Sequence, residues 1–336
     1  MIRTRVVSFG NYVPSVVVTN YDLEKMMDTT NEWIVERSGI HERRWTSPGE
    51  TAASMAVKAS KIALERAELN PDDIDAIIYA SLISDWVFPG GGVMVQHQLG
   101  IKRTIPCFDV RAQCSGFMYS LSIADAYIRT GQYKRILVIG SEIHSTTLDK
   151  TTRGRDITVL FGDGAGACIV EAIDVKDEKS DSYIWDIFLA SEGKHADKLY
   201  VKEPVAYGNP RASEGQVMTA DVYPHMDGRY IFKHAVTRMC ECLGYLAKKF
   251  MVGPEQIDFI IAHQANMRIN QMVLKELGIP WEKTHHTIDR YGNTTAATIP
   301  LTMNEAIELG KIKRGDLVGL VAFGAGFTWA SALLRY

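Results

Sequence analysis

Pro71-Asp-Asp-Ile-Asp-Ala-Ile-Ile78 and Pro254-Glu-Gln-Ile-Asp-Phe-Ile-Ile261 are two versions of one octapeptide, with proline, aspartate and three isoleucines in register at an offset of 183 residues. Each copy follows a segment with apolar residues at three-to-four spacing, Ala53 to Leu69 in one case and Phe232 to Phe250 in the other. Each therefore reads as a helix that leads through a proline turn into a buried strand. The same offset lays the apolar run Ile136 to Ile139 on Gly319 to Ala322, and both run on into glycine. One duplicated α/β unit accounts for this register. The short β-branched strands, separated by helices, predict an α/β fold whose mostly parallel sheets are buried on both faces. The halves are expected at 1–175 and 176–336. The connection from Lys176 to about Tyr223 is polar and contains Tyr207-Gly-Asn-Pro-Arg211 and Ala212-Ser-Glu-Gly215, and it predicts an excursion at about 190–224.

The 336 residues suit about two average domains at roughly 150 residues each. The net charge is only −3, so no global field draws nucleic acid or an anionic membrane, and a polyanionic partner needs a local basic patch. Hydrophobic residues at 46% and charged residues at 23% describe a globular chain. Its apolar stretches, such as Arg135 to Gly140, fall far short of the roughly 18 residues of a membrane span. The opening Met-Ile-Arg-Thr-Arg-Val-Val has no apolar export core. Cys107, Cys114, Cys168, Cys240 and Cys242 form no C-x-x-C pair. A reduced, cytoplasmic protein is expected, with one chemical thiol and four packing ones.

In α/β folds ligands sit beyond the carboxyl ends of strands, which directs attention to three residues. Cys114 lies at the elbow between the strand Cys107 to Val110 and a helical pattern from Phe117 to Ile128 that Gly131 stops. A thiol at a helix N-terminus faces unpaired N–H groups, which favour thiolate, and Ser115-Gly116 leave room for a substrate. His263 ends the strand Ile257 to Ala262. Asn293 precedes a helix expected over 294–309, where it also suits a plain N-cap. A cysteine, a histidine and an asparagine at three strand-to-helix switches make a workable nucleophile set. The glycine loops Phe161-Gly-Asp-Gly-Ala-Gly-Ala167 and Phe323-Gly-Ala-Gly-Phe-Thr-Trp329 lack dinucleotide or P-loop spacing. They are expected to let backbone approach a ligand or the other half closely, and to offer an N–H to an oxyanion.

Together these segments resemble the β-ketoacyl-acyl carrier protein synthase III family of the thiolase superfamily. The resemblance rests on Asn31-Glu-Trp-Ile-Val-Glu-Arg-Ser-Gly-Ile40, Cys114-Ser-Gly-Phe117, Phe161-Gly-Asp-Gly-Ala-Gly166, Met226-Asp-Gly-Arg-Tyr-Ile-Phe-Lys233, His263-Gln-Ala-Asn-Met-Arg268, Gly292-Asn-Thr-Thr-Ala-Ala297 and the terminal glycine loop. It implies a thiolase-like, duplicated five-layer αβαβα fold with two mixed sheets. It also implies a ping-pong Claisen condensation. Cys114 would take the acyl group from an acyl-CoA, acetyl-CoA by default, and malonyl-acyl carrier protein would then bind. His263 and Asn293 would stabilise the enolate formed as CO2 departs, and the backbone N–H groups of Cys114 and Ala325 would hold the oxyanion. No metal or redox cofactor is implied.

By the same resemblance Trp33 and Arg153 would sandwich the adenine of CoA, Arg37 would approach its phosphates, Asn266 would orient the pantetheine arm, and Phe232 would be a further CoA contact. Lys233 and Arg268 would dock the acidic carrier protein, the helix around Lys233 being made basic also by Arg238, Lys248 and Lys249. Phe323 would line the acyl pocket, together with Phe88 reaching across a homodimer interface. Gln113 stands where the family commonly has alanine, and Ala325 where it commonly has glycine, so primer choice is left open. Alternatives are a ketide or alkyl-ketone synthase using longer acyl-CoAs, an acyltransferase to oxygen or nitrogen and, from a different class, a nicotinamide-dependent oxidoreductase.

Overall fold

A computed structural model of the chain describes residues 1–178, 180–202 and 220–336. The strands are β1 (Ile2–Tyr12), β2 (Val16–Thr19), β3 (Glu42–Trp45), β4 (Ala76–Ala80), β5 (Cys107–Val110), β6 (Arg135–Glu142), β7 (Gly164–Asp174), β8 (Ile184–Ser191), β9 (Leu199–Tyr200), β10 (His225–Met226), β11 (Phe259–Ala262), β12 (Leu317–Gly324) and β13 (Thr328–Arg335). One sheet runs β1-β7-β6-β4-β5 and the other β11-β12-β13-β8. The first therefore draws only on residues before 175, and the second only on residues after 183. β2 with β3 and β9 with β10 form two small ribbons.

The repeat inferred from the octapeptides is visible strand by strand. β4 pairs in parallel with β6, and β11 pairs in parallel with β12, its counterpart at the offset. Parallel pairing stops there. β7 returns antiparallel to β6, and β13 returns antiparallel to β12. β1 and β8 then add antiparallel at the far edges. The sheets are mixed rather than mostly parallel: β13 comes back to β12 through only residues 325–327, too few for a crossover, while β7 returns antiparallel to β6 after a longer segment that includes the Arg155–Thr158 helix. β5 has only a vestige in the second half, the single bridge between Ile260 and Thr284.

Two-sided burial explains why the core strands read as unbroken apolar runs. Along β4, Ala76 and Ile78 point into one cluster while Ile77 and Tyr79 point into another, following the period of two. The first cluster is the central layer. It joins the Gly116–Arg129 helix, through Phe117, Met118, Leu121 and Ala124, and the Thr298–Glu308 helix, through Ile299, Met303 and Ala306, to the inner faces of both sheets. The Ala52–Arg66 and Gly91–Leu99 helices cover the outer face of the first sheet. The Gly228–Lys249 and Met267–Leu277 helices cover the second. The result is the five-layer αβαβα arrangement. The polar excursion is described only at its ends, and its Tyr207 and Ala212 motifs lie outside the described residues.

Leu121 is fully enclosed in the central layer, whereas Leu309 is 59% exposed. Leu121→Ala is expected to cost about 2–5 kcal/mol in denaturant unfolding. Leu309→Ala is expected to stay within about 0.5 kcal/mol of the parent. Equal effects of the two would contradict the assignment of the central layer.

Candidate active site

The β5 strand delivers the chain to a single 3₁₀ turn, Gln113–Ser115, and the central helix begins at Gly116. Gln113 sits in the left-handed region at φ 46°, a costly conformation for a residue with a side chain. That turn points Cys114 out of the strand direction, into a cavity. The Ser115 hydroxyl ties the elbow down through Ala112 O (2.8 Å) and the Thr328 hydroxyl (2.7 Å). The terminal glycine loop closes on the same point. A Cβ on Gly324 would lie 2.9 Å from the Cys114 nitrogen and 3.0 Å from its Cβ, so only glycine permits the approach. The N–H groups of Cys114 and Ala325 both bear on the Cys114 sulfur.

His263 follows β11 directly, its own N–H donating to Val321 O at 2.8 Å. Its Nδ1 lies 2.7 Å from the Thr298 hydroxyl, while its Nε2 is buried and has no partner among the described residues. Asn293 is held from three directions. Its N–H donates to Leu160 O (2.8 Å), its carbonyl accepts from Gly162 N (3.2 Å), and its Oδ1 accepts from Thr295 N (2.9 Å). The last bond orients the amide so that the nitrogen is the end left for the cavity. Gly162 has to be glycine here, since a Cβ would collide with the Tyr291 carbonyl oxygen. Both glycine loops thus serve close approach between the halves.

Cys114, His263 and Asn293 line one cavity with Phe161, Phe323, Met226, Phe232 and Met239. Phe232, Met226, Leu160 and Asn266 also line a neighbouring open groove, which continues to Trp33, Arg37, Arg155, Arg229 and Arg268. A substrate arm can therefore run from an exposed cationic mouth to the thiol.

The 3-oxoacyl-[acyl-carrier-protein (ACP)] synthase III profile matches residues 108–193, and its C-terminal profile matches residues 247–336. The beta-ketoacyl-[acyl-carrier-protein] synthase III of Rhizobium meliloti (strain 1021) is 45% identical over 338 residues, covering 100% of both chains. The crystal structure of 3-oxoacyl-[acyl-carrier-protein] synthase III from Aquifex aeolicus VF5 superposes with a TM-score of 0.89 at 42% identity, covering 99% of this chain and 100% of that one. That of Thermus thermophilus gives 0.89 at 37%, with 99% of each chain covered. The chain belongs to the 3-oxoacyl-[acyl-carrier-protein] synthase III family. It is a condensing enzyme of the acyltransferase type with the thiolase-like fold.

Around the mouth of this synthase III chain the polar side chains are held by particular partners. Arg155, not Arg153, lies over the Trp33 ring, 5.0 Å from its centroid, with Arg37 also on the ring at 4.2 Å. Arg153 is held by Asp149 (2.5 Å) and lies over the Tyr223 ring, 5.3 Å from its centroid. The Asn266 side chain donates to Arg37 O (2.9 Å) and accepts from Arg268 N (2.9 Å), so it clamps the mouth and caps the Met267–Leu277 helix. Arg238 is spent on Glu192 and Glu241, and Lys249 on Asp186, which leaves the exposed Lys233, Arg229 and Arg268 as the basic face near the mouth. Phe88 is 81% exposed beside the exposed Ile83, Trp86 and Val87 and is not among the residues that line the Cys114 cavity.

The electrostatics correct the thiolate expectation. Burial, reinforced by the Glu142 carboxyl, pushes the Cys114 thiol up to about 12 against the two amide N–H groups that favour the anion. Burial alone pushes His263 down to about 3, so the resting pair is a neutral thiol and a neutral imidazole. The helix dipole acts, but desolvation outweighs it. Glu142 itself, ending β6, is buried and raised to about 7 by desolvation, with Leu82 N donating to it at 3.0 Å. Neither Glu142 nor Thr298 was singled out from sequence. A strand-end glutamate and one threonine in a hydroxyl-rich helix start carry no distinctive spacing.

Because the Cys114 pKa is raised, its thiolate fraction grows about tenfold per pH unit throughout the neutral range. Alkylation of Cys114 by iodoacetamide, followed by peptide mass, is expected to accelerate by that factor from pH 7 to 8 and again from 8 to 9. A plateau by pH 8 would show a pre-formed thiolate.

Proposed function

We propose that the chain condenses an acyl-CoA primer, acetyl-CoA by default, with malonyl-acyl carrier protein, opening a fatty acid chain in the cytoplasm. The observation that carries this reading is the convergence of Cys114, His263 Nε2 and the Asn293 amide on one cavity. The Cys114 sulfur attacks the acyl-CoA carbonyl, and the Cys114 and Ala325 N–H groups stabilise the tetrahedral oxyanion. As that collapses, CoA leaves carrying the thiol proton. Malonyl-acyl carrier protein then enters, and loss of CO2 leaves an enolate whose oxygen accepts hydrogen bonds from His263 and Asn293. Its carbon attacks the acyl-cysteine, and the released Cys114 sulfur takes a proton from water. The departing CO2 supplies the carbanion, so neither strong base, metal nor redox cofactor takes part.

Trp33, Arg37 and Arg155 bind the nucleotide end of CoA, with Phe232 and Asn266 along the pantetheine path. Lys233, Arg229 and Arg268 meet the acidic carrier protein. Support for a homodimer lies in the exposed apolar run Ile83, Trp86, Val87 and Phe88, an unusual concentration on a soluble surface. A second copy covers it and receives Phe88 beside Phe323 in its acyl pocket.

Incubation with a panel of acyl-CoAs is expected to add the acyl mass at Cys114, and the fastest chain length identifies the primer. His263→Ala and Asn293→Ala should keep acylation and lose malonyl decarboxylation; loss of acylation as the main effect would reverse their assigned roles. Arg155→Ala is expected to raise KM for acyl-CoA about tenfold while Arg153→Ala leaves it near the parent value, reflecting one cation–π contact at a ligand site of about 1–2 kcal/mol. The opposite ranking would return the adenine site to Arg153.

A further inference from the structure

The Thr298 hydroxyl carries one proton and has two neighbours able to take it. His263 Nδ1 lies 2.7 Å away and the Thr295 carbonyl 3.0 Å away. A carbonyl only accepts. If the proton goes to Thr295 O, then Nδ1 must carry hydrogen and donate to the Thr298 oxygen, leaving Nε2 as a bare lone pair. If it goes to Nδ1, then Nε2 carries the hydrogen. Because burial keeps the ring neutral, one of these two tautomers is present at rest.

The surroundings of Nε2 discriminate between them. It is buried, faces the reaction cavity and has no partner among the described residues, while the Asn293 amide nitrogen is turned toward the same cavity. Two N–H donors converging on one point make a site for an oxygen that gains negative charge. A lone pair beside one donor repels it. We infer that Thr298 is a positioning residue that donates to His263 Nδ1 and so holds Nε2–H toward the substrate oxygen. This rests on the decarboxylation role proposed above for His263. Thr298 has little freedom to do otherwise. It is 1% exposed, stands at the first position of the central Thr298–Glu308 helix, and is β-branched, which limits the directions its oxygen can take.

The test separates the two half-reactions in Thr298→Val, Thr298→Ser and His263→Ala. Thr298→Val keeps the branched shape and removes the hydroxyl. Its acylation at Cys114 is expected to stay within about twofold of the parent while malonyl decarboxylation falls about 10–100-fold, with Thr298→Ser restoring most of the loss. Selective ¹⁵N labelling of histidine, with the His263 signals assigned by their absence in His263→Ala, is expected to show the Nε2–H tautomer in the unmodified protein. Decarboxylation by Thr298→Val at the parent rate, or an Nδ1–H tautomer in the unmodified protein, overturns the inference. The spectroscopic arm decides even if Thr298→Val does not fold. Unchanged decarboxylation in His263→Ala would instead overturn the underlying role of the histidine.

Discussion

The Gly116–Arg129 and Thr298–Glu308 helices fill the space between the two sheets with apolar side chains that touch both. In an interior packed to crystal density, neither can slide or turn without opening cavities against two sheets at once. Both helices start beside the same spot. Cys114 lies two residues before the first and Asn293 five residues before the second, so packing that serves stability also fixes the spacing of nucleophile and amide. His263 follows from β11 in the sheet that the central helices pin. The site is rigid because its scaffold is the core.

That burial also sets the chemistry. The ordinary pKa values of a solvated cysteine and histidine already favour the neutral pair, and here desolvation widens the gap between them, pushing the thiol upward and the imidazole downward. A neutral histidine is the useful form for an enolate oxygen, since it offers a donor without a counter-charge that would also favour the malonyl carboxylate. A neutral thiol is protected from stray oxidation and alkylation until a thioester brings a carbonyl between the sulfur and the two amide N–H groups. The same low-dielectric surroundings make those N–H dipoles effective when charge develops.

Much of this was legible in the sequence, for identifiable reasons. The octapeptide repeat exposed the duplication because a strand buried on both faces tolerates few residue types, and a proline turn fixes where it begins. Cys114, His263 and Asn293 could be found because strand ends are where α/β folds present side chains. What escaped depends on three-dimensional distance. The sheets are mixed because β7 and β13 return antiparallel to β6 and β12, a strand direction that apolar runs alone do not encode. Arg153 and Arg155 are two residues apart, and spacing alone does not show that Asp149 holds the first while the second lies over Trp33. Lys249 reads as free charge in the sequence because its carboxylate partner Asp186, on β8, lies far away along the chain, and so does Glu192, one of the two partners of Arg238.

The two halves repeat a scaffold without repeating its chemistry, and the difference lies in the fifth strand. In the first half β5 pairs fully with β4 and hands the chain to the cysteine elbow, so the nucleophile is borne on continuous sheet. In the second half the equivalent strand shrinks to the Ile260–Thr284 bridge, which frees the following segment to leave its own sheet. That segment crosses to the first half, where Asn293 bridges Phe161 and bonds Leu160 and Gly162. Full pairing there would have kept the asparagine on its own side. Each elbow carries one residue with a side chain in the left-handed region, Gln113 before the cysteine and Thr295 after the asparagine. Strain of about 1–3 kcal/mol at each is sustained by the packed helices behind them. A weakened strand in one copy is thus what turns two similar half-sites into a single site with a sulfur on one side and hydrogen-bond donors on the other.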